Sequence, residues 1–379
     1  MAEGEVTSPL AQEFVVINRT EDPEKENHRT DGPTLVRLPS GRLVVSYVLF
    51  HLHRRGQTHD PMKILDTRVK VSDDDGATWR EVAVLPHELG LLFAHQGRLH
   101  LLGVEAGRGG LVITVSDDEG ATWTPPRLLR QGRFWNTSTA MVIRNNTLSW
   151  CIGVASVQDR FNNEGSRTAA LAADLTRNLT DPDAWRISDY LTYPGTPPLL
   201  RGGPHETPEE PYHDHWLEGN VVDAPDGLQV FWRARIRGGG GQMVPAIAPV
   251  CDLEDDGTTL RYRFRQFVAL PGAWCKFHIL RDDVTGRYWL TSNLGHRGVL
   301  ALHSSSDART WFPAGYLVVW PENPRSANYV TPLIDGDDLL IASRTSSPKA
   351  VSRHDNDMIT FHRVRGFRSL ALDIHPRYE

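Results

Sequence analysis

The chain has 379 residues, 40% hydrophobic and 23% charged, with 32 Gly, 25 Pro and 11 Trp, a composition suited to many short strands and turns rather than long helices. Its net charge of -6 at pH 7 and pI near 6.2 exclude the basic surface that holds nucleic acid or an anionic membrane, so any anionic ligand falls to a local arginine cluster. No apolar run approaches 18 residues, MAEGEVTSPLAQEF lacks the basic-then-apolar order of a secretory leader, and Cys151, Cys251 and Cys275 read as reduced thiols; together these predict a cytoplasmic protein without disulfides.

Along the chain, six stretches read as an apolar strand, a turn carrying Gly, Asn or Asp, and a second apolar strand. They are GPTLVRLPSGRLVVSY from Gly32, LLFAHQGRLHLLGV from Leu91, STAMVIRNNTLSWCIG from Ser138, GNVVDAPDGLQVFWRA from Gly219, KFHILRDDVTGRYWLTS from Lys276 and YVTPLIDGDDLLIASRT from Tyr329. The first two units continue into near-identical turns, VSDDDGATW (Val71 to Trp79) and, 44 residues on, VSDDEGATW (Val115 to Trp123). A repeat with that period marks a repetitive architecture. Six four-stranded antiparallel blades around one axis predict an all-β, six-bladed propeller, with residues 1–11 as a tail and 12–379 as one domain.

In the repeated turn, Ser and Asp side chains can bond the hairpin backbone, Gly supplies a positive φ, and Trp packs between blades. That makes it a structural staple and not a catalytic motif. A degenerate copy is expected in SSSDARTW, Ser304 to Trp311, aligned so that it lacks the Asp at the third position and the Gly at the fifth; TDPDAW, Thr180 to Trp185, reads as a remnant.

These turns are the Asp-boxes of the sialidase superfamily, which the chain resembles over roughly all six blades. The resemblance implies a site. Glu218 in LEGNVVDAPDG, Arg233 in VFWRAR, Arg297 in SNLGHRGVLAL and Tyr329 in ANYVTPLIDG match the family's base, two of its arginines and its nucleophilic tyrosine. A neutral tyrosine suits an anionic sugar because a carboxylate nucleophile would be repelled, while arginines hold the charge. The resemblance breaks at Asp31, which stands where the family's first arginine belongs; Arg29 substitutes only if the strand bulges. Asp60 is the better candidate for the general acid and Asp66 the second.

Histidines gather near these positions: His51 and His53 on one strand face, His213 and His215 before Glu218, and Arg353 with His354 in RHDNDMITFHRV. They suit a polar mouth that bonds substrate hydroxyls. The two His-x-His pairs lack a third ligand at a diagnostic spacing, so no metal and no cofactor is expected. The Pro-rich stretch from Leu199 to Trp216 reads as a covering loop. The sequence thus predicts a retaining, exo-acting glycosidase on a polar or anionic sugar other than ordinary sialic acid. A lyase on uronate glycans using Tyr329 with His215 or His278, and a carbohydrate-binding propeller without chemistry, are the alternatives.

Overall fold

A computed structural model describes residues 8–20, 28–51, 63–107, 109–154, 167–197, 215–237, 243–244 and 246–371. Six antiparallel sheets succeed one another in chain order. Each of the six predicted strand pairs supplies the inner two strands of one sheet, as in Arg37↔Leu43 of blade one and Asp335↔Asp338 of blade six. The sixth sheet is completed from the other end of the chain: Val15–Arg19 pairs with Met358–Val364 as the outermost strand, Val15 opposite Phe361. Two short 3-10 turns, Pro182–Ala184 and Phe367–Leu370, are the helical elements among the described residues.

Burial explains the sequence pattern of the strands. Middle strands such as Arg98–Glu105 and Thr147–Val154 are covered on both faces by neighbouring blades and are buried almost end to end, so they read as continuous apolar runs. The outermost strand of blade four, Leu260–Ala269, has one wet face and alternates. The core is accordingly a set of wedges between blades. One joins Leu35, Leu43 and Tyr47 of blade one to Leu340, Ala342 and Phe361 of blade six.

The repeated turns act as the staples their residues suggest. Ser72 Oγ donates to Asp74 Oδ1 at 2.8 Å and accepts from the Gly76 N–H at 2.8 Å, while Asp74 also accepts from the Thr78 N–H and hydroxyl at 2.8 and 2.6 Å. Ser116, Asp118, Gly120 and Thr122 repeat the network. Trp79 packs at a tilt against Phe361 of blade six with ring centroids 5.7 Å apart, and a Cβ on Gly76 would lie 2.3 Å from that ring. The third copy corrects the alignment made from sequence: Asp307 takes the aspartate's part, accepting from Ser305 Oγ and from the N–H groups of Arg309 and Thr310. The turn has therefore lost one residue, and Ala308 carries the left-handed backbone (φ 59°) that Asp75 and Glu119 carry in the intact copies.

Candidate active site

The inner strands of blades one, two, four and six share one irregularity. In each, two residues face a single residue of the neighbouring strand, at Asp31/Thr34, Glu88/Leu91, Leu217/Asn220 and Asn328/Thr331. The first residue of each bulge is left-handed: Gly32 at φ 53°, Leu89 at 56°, Glu218 at 57° and Tyr329 at 51°. Such a backbone costs a non-glycine residue about 1–3 kcal/mol, and it re-aims the side chain out of the regular alternation. Next along the strands, Pro33 O accepts from Thr331 Oγ1 at 2.6 Å and from Ser138 Oγ at 2.8 Å. Blades one, three and six thus meet beside the bulges.

Two bulges bring together residues predicted from sequence. Arg233, opposite Leu217 on the second strand of blade four, donates from Nη1 to Glu218 Oε2 at 2.7 Å and to Tyr329 Oη at 3.0 Å. Both partners of this ion pair are almost wholly buried, with side-chain exposures of 5% and 1%. Because the guanidinium donates to Tyr329 Oη, the phenol's own hydrogen is directed elsewhere. Burial pushes that phenol above its ordinary 10; Arg233 and Arg297 pull the other way, and Glu218 adds to the rise. The hydroxyl is neutral at pH 7 and needs a base to act as a nucleophile.

Arg297 lies with Cζ 5.2 Å from the Tyr329 ring centre. Its partners among the described residues are neutral: Nη1 donates to Cys275 Sγ at 3.1 Å and to Asn328 Oδ1 at 3.4 Å. His354 meets the same ring edge-on at 6.4 Å and bonds Asp355 Oδ1 through Nδ1 at 3.0 Å. Burial disfavours the Asp355 charge, but hydrogen bonds from His354 and Ser352 and the nearby positive charge of Arg344 together outweigh it and bring the carboxyl down to about 2.

The other candidates distribute themselves around this cluster. Asp31 does not stand free for a ligand: its Oδ2 lies 3.1 Å from Arg344 Nη1, and Oδ1 accepts from the Gly32 N–H at 2.6 Å. Arg29 is buried on the same strand, and the bulge falls after Asp31 rather than between the two, so Arg29 is not carried into the position of Asp31. Arg353 sends Nη2 to Pro321 O at 2.5 Å. His215 begins the inner strand of blade four and is buried. His278 is buried in blade five, held well below its ordinary 6.5 by burial and then by Lys276. Asp66 is paired with Arg68 at 2.7 Å on the third strand of blade one. Asp60, His53, His213 and residues 199–214 of the covering loop lie outside the described residues, as does the side chain of His51. No group of three His, Cys, Asp or Glu side chains fit for a metal occurs among the described residues.

Sequence reasoning missed Arg344 and one loop. Arg344 is 1% exposed, with Cζ 4.9 Å from the Tyr329 ring centre and 5.4 Å from that of Phe50. With Arg233 and Arg297 it makes a third guanidinium about that ring. A signal was present: Arg344 follows Tyr329 by 15 residues, as Arg233 follows Glu218 by 15, and both arginines oppose the residue just before a bulge. The missed loop, Trp274-Cys275-Lys276, touches three parts of the cluster in succession. Trp274 O accepts from Arg233 Nε at 3.0 Å, Cys275 Sγ accepts from Arg297, and Lys276 Nζ donates to Val330 O at 2.9 Å.

No protein-family model and no curated protein matches the chain. Solved structures do. A sialidase of Trypanosoma rangeli superposes with a TM-score of 0.62 at 16% identity, over 96% of this chain and 61% of that one. The fold is that of the sialidase-like propellers. An alpha-L-arabinanase of Penicillium chrysogenum complexed with arabinobiose gives 0.57 at 15% identity, over 96% of this chain and 100% of that one. The GH93 alpha-L-arabinofuranosidase of Fusarium graminearum, also with arabinobiose, gives 0.50 at 15% identity, over 94% and 98%. This propeller is therefore similar in architecture to proteins whose names refer to quite different sugars, so the shared fold does not by itself name a ligand.

Proposed function

We propose that the chain is a retaining, exo-acting glycoside hydrolase. The observation that supports this best is the buried Glu218–Arg233–Tyr329 cluster, in which one guanidinium nitrogen holds both a carboxylate and a phenol. Glu218 takes the phenol proton as Tyr329 Oη bonds the anomeric carbon. The glycosidic C–O bond breaks, and the leaving oxygen takes a proton from Asp60. Water then attacks the same carbon, the tyrosyl bond breaks, and the proton path reverses. The similarity to sialidase and arabinan-processing propellers agrees with this chemistry.

The substrate in this reading is a polar or anionic terminal sugar other than an ordinary sialoside. Asp31 already neutralises Arg344, and Glu218 neutralises Arg233. Arg297, whose partners are neutral, and Arg344, whose guanidinium nitrogens are buried and make no hydrogen bond among the described residues, are left to meet acceptor groups on the ligand. The test is a panel of aryl glycosides and oligosaccharides with mass and anomer analysis of the products. Release of a terminal sugar with retained configuration, lost in Tyr329→Phe, is the expected result. An unsaturated product would replace hydrolysis with elimination, and a glycan bound but left intact would make the protein a binding propeller. Rapid cleavage of an aryl sialoside would overturn the substrate assignment.

A further inference from the structure

The bulges free backbone carbonyls from their ladders, and neighbouring blades supply side chains to satisfy them. At the residue after the left-handed one, Pro33 O accepts from Thr331 and Ser138 hydroxyls, and Gly219 O accepts from the Cys151 thiol at 3.1 Å. The third carbonyl of this kind, Val330 O, directly after Tyr329, accepts instead from an ammonium, Lys276 Nζ at 2.9 Å. A hydroxyl or thiol suffices at two sites. The lysine is 1% exposed, and a buried ammonium carries a desolvation cost that a neutral donor avoids. The charge at this one bulge therefore needs a reason beyond satisfying a carbonyl.

We infer that Lys276 is a positioning residue for Tyr329: it holds the left-handed turn that aims the phenol, and it places a positive charge beside the Tyr329–Glu218 pair. This rests on the glycosidase reading above. The groups facing Lys276 are Glu218 from blade four, Asp31 from blade one, and Cys275 and His278 from its own segment. Burial brings the amine down from 10.5 to about 8, with Glu218, Asp31 and Cys275 opposing the fall. Its charge is thus mostly present at neutrality and is lost as pH rises through about 8.

The chain has five lysines (Lys25, Lys63, Lys70, Lys276 and Lys349), so carbon-13 lysine labelling resolves them by NMR. The resonance that vanishes in Lys276→Met should titrate near pH 8 in the unmodified protein. On any glycoside the protein cleaves, kcat/KM should fall above pH 8. Lys276→Met should lose about 30-fold in kcat with KM changed little, and should lack that alkaline fall. Lys276→Arg should restore most of the rate and move the fall to higher pH. Thr331→Val, which removes a neutral cap, should lower thermal stability and leave the pH profile alone. Amide exchange over Ser326–Asp335 should quicken in Lys276→Met. A Lys276 resonance titrating at the ordinary lysine value, or Lys276→Met with an unchanged rate and profile, overturns the inference. If Lys276→Met fails to fold, an alkaline fall left in place by Lys276→Arg does so. If no glycoside is cleaved, the glycosidase reading fails, while the lysine titration and amide exchange still decide whether Lys276 holds the bulge as a charged cap.

Discussion

At the outer turns, Asp74 and Asp118 are exposed carboxylates whose hydrogen bonds come from residues within four positions in the chain. At the axis, Glu218 and Asp31 are enclosed carboxylates whose partners are Arg233, 15 residues away, and Arg344, which arrives from another blade. The outer networks are self-contained and hold a turn. The axial ones join distant parts of the chain: the Asp31–Arg344 pair forms only when blades one and six meet, and Tyr329 reaches Arg233 of blade four from blade six. A carboxylate at the rim should therefore matter to stability alone, whereas one at the axis should matter to stability and chemistry together.

The sharpest way to break that contrast is Tyr329→Phe. It removes one hydroxyl from the axial cluster and should reduce kcat by roughly 10³-fold or more, with thermal stability near that of the parent. Loss of the fold in place of loss of turnover would make Tyr329 a packing residue. Asp31→Asn comes next. It leaves the Arg344 guanidinium enclosed without a carboxylate and should destabilise the protein by about 3 kcal/mol in chemical denaturation, while also shifting substrate preference. An affinity change with no cost in stability would mean that Arg344 finds another partner.

At the rim, Gly76→Ala forces a Cβ toward Phe361 and a side chain into positive φ. A loss of about 2 kcal/mol with unchanged turnover per folded molecule is expected. Asp118→Asn sharpens the comparison through pH. Hydrogen bonds from Thr122 hold the Asp118 carboxyl at about 2 against an ordinary 3.8. Its contribution is therefore full above pH 4 and is lost as pH falls toward 2. The variant should melt lower than the parent at pH 6, and the gap should close by pH 2; a constant gap would contradict the assignment. The smallest expected effect is none: dialysis against a chelator should leave turnover as it was, and an activity restored by one added ion would return attention to His51, His53, His213 and His215.

The same difference explains what could be read from the sequence. Strand pairs, turn residues and the intact staples are local patterns, so all six blades and the roles of Ser72, Asp74 and Gly76 were visible in the order of residues. Glu218, Arg233, Arg297 and Tyr329 were found through resemblance, and the structure groups them about one phenol. Asp31 stands in the expected strand, but its partner Arg344 lies in LLIASRTS, and nothing local marks that arginine apart from its equal spacing to Tyr329. Lys276 was read as the start of a strand. Its hold on Val330 joins two blades, and a contact between blades leaves no trace in the spacing within either. The degenerate turn at Asp307 was misaligned by one residue because a deletion inside a turn looks, in sequence, like substitutions.

Ring closure through Val15–Arg19 has a consequence for timing. Blade six, which presents Tyr329, takes its outermost strand from upstream of the other five blades and its other three from downstream of them. During synthesis that early strand must wait, unpaired, while five blades form. His362, whose Nδ1 lies 2.8 Å from Ala11 O, joins the same two distant segments. Long-range pairings of this kind form late. Tyr329 therefore gains its supporting sheet last of all, and a partly synthesised chain would hold Glu218 and Arg233 already facing each other with no phenol between blades to receive them.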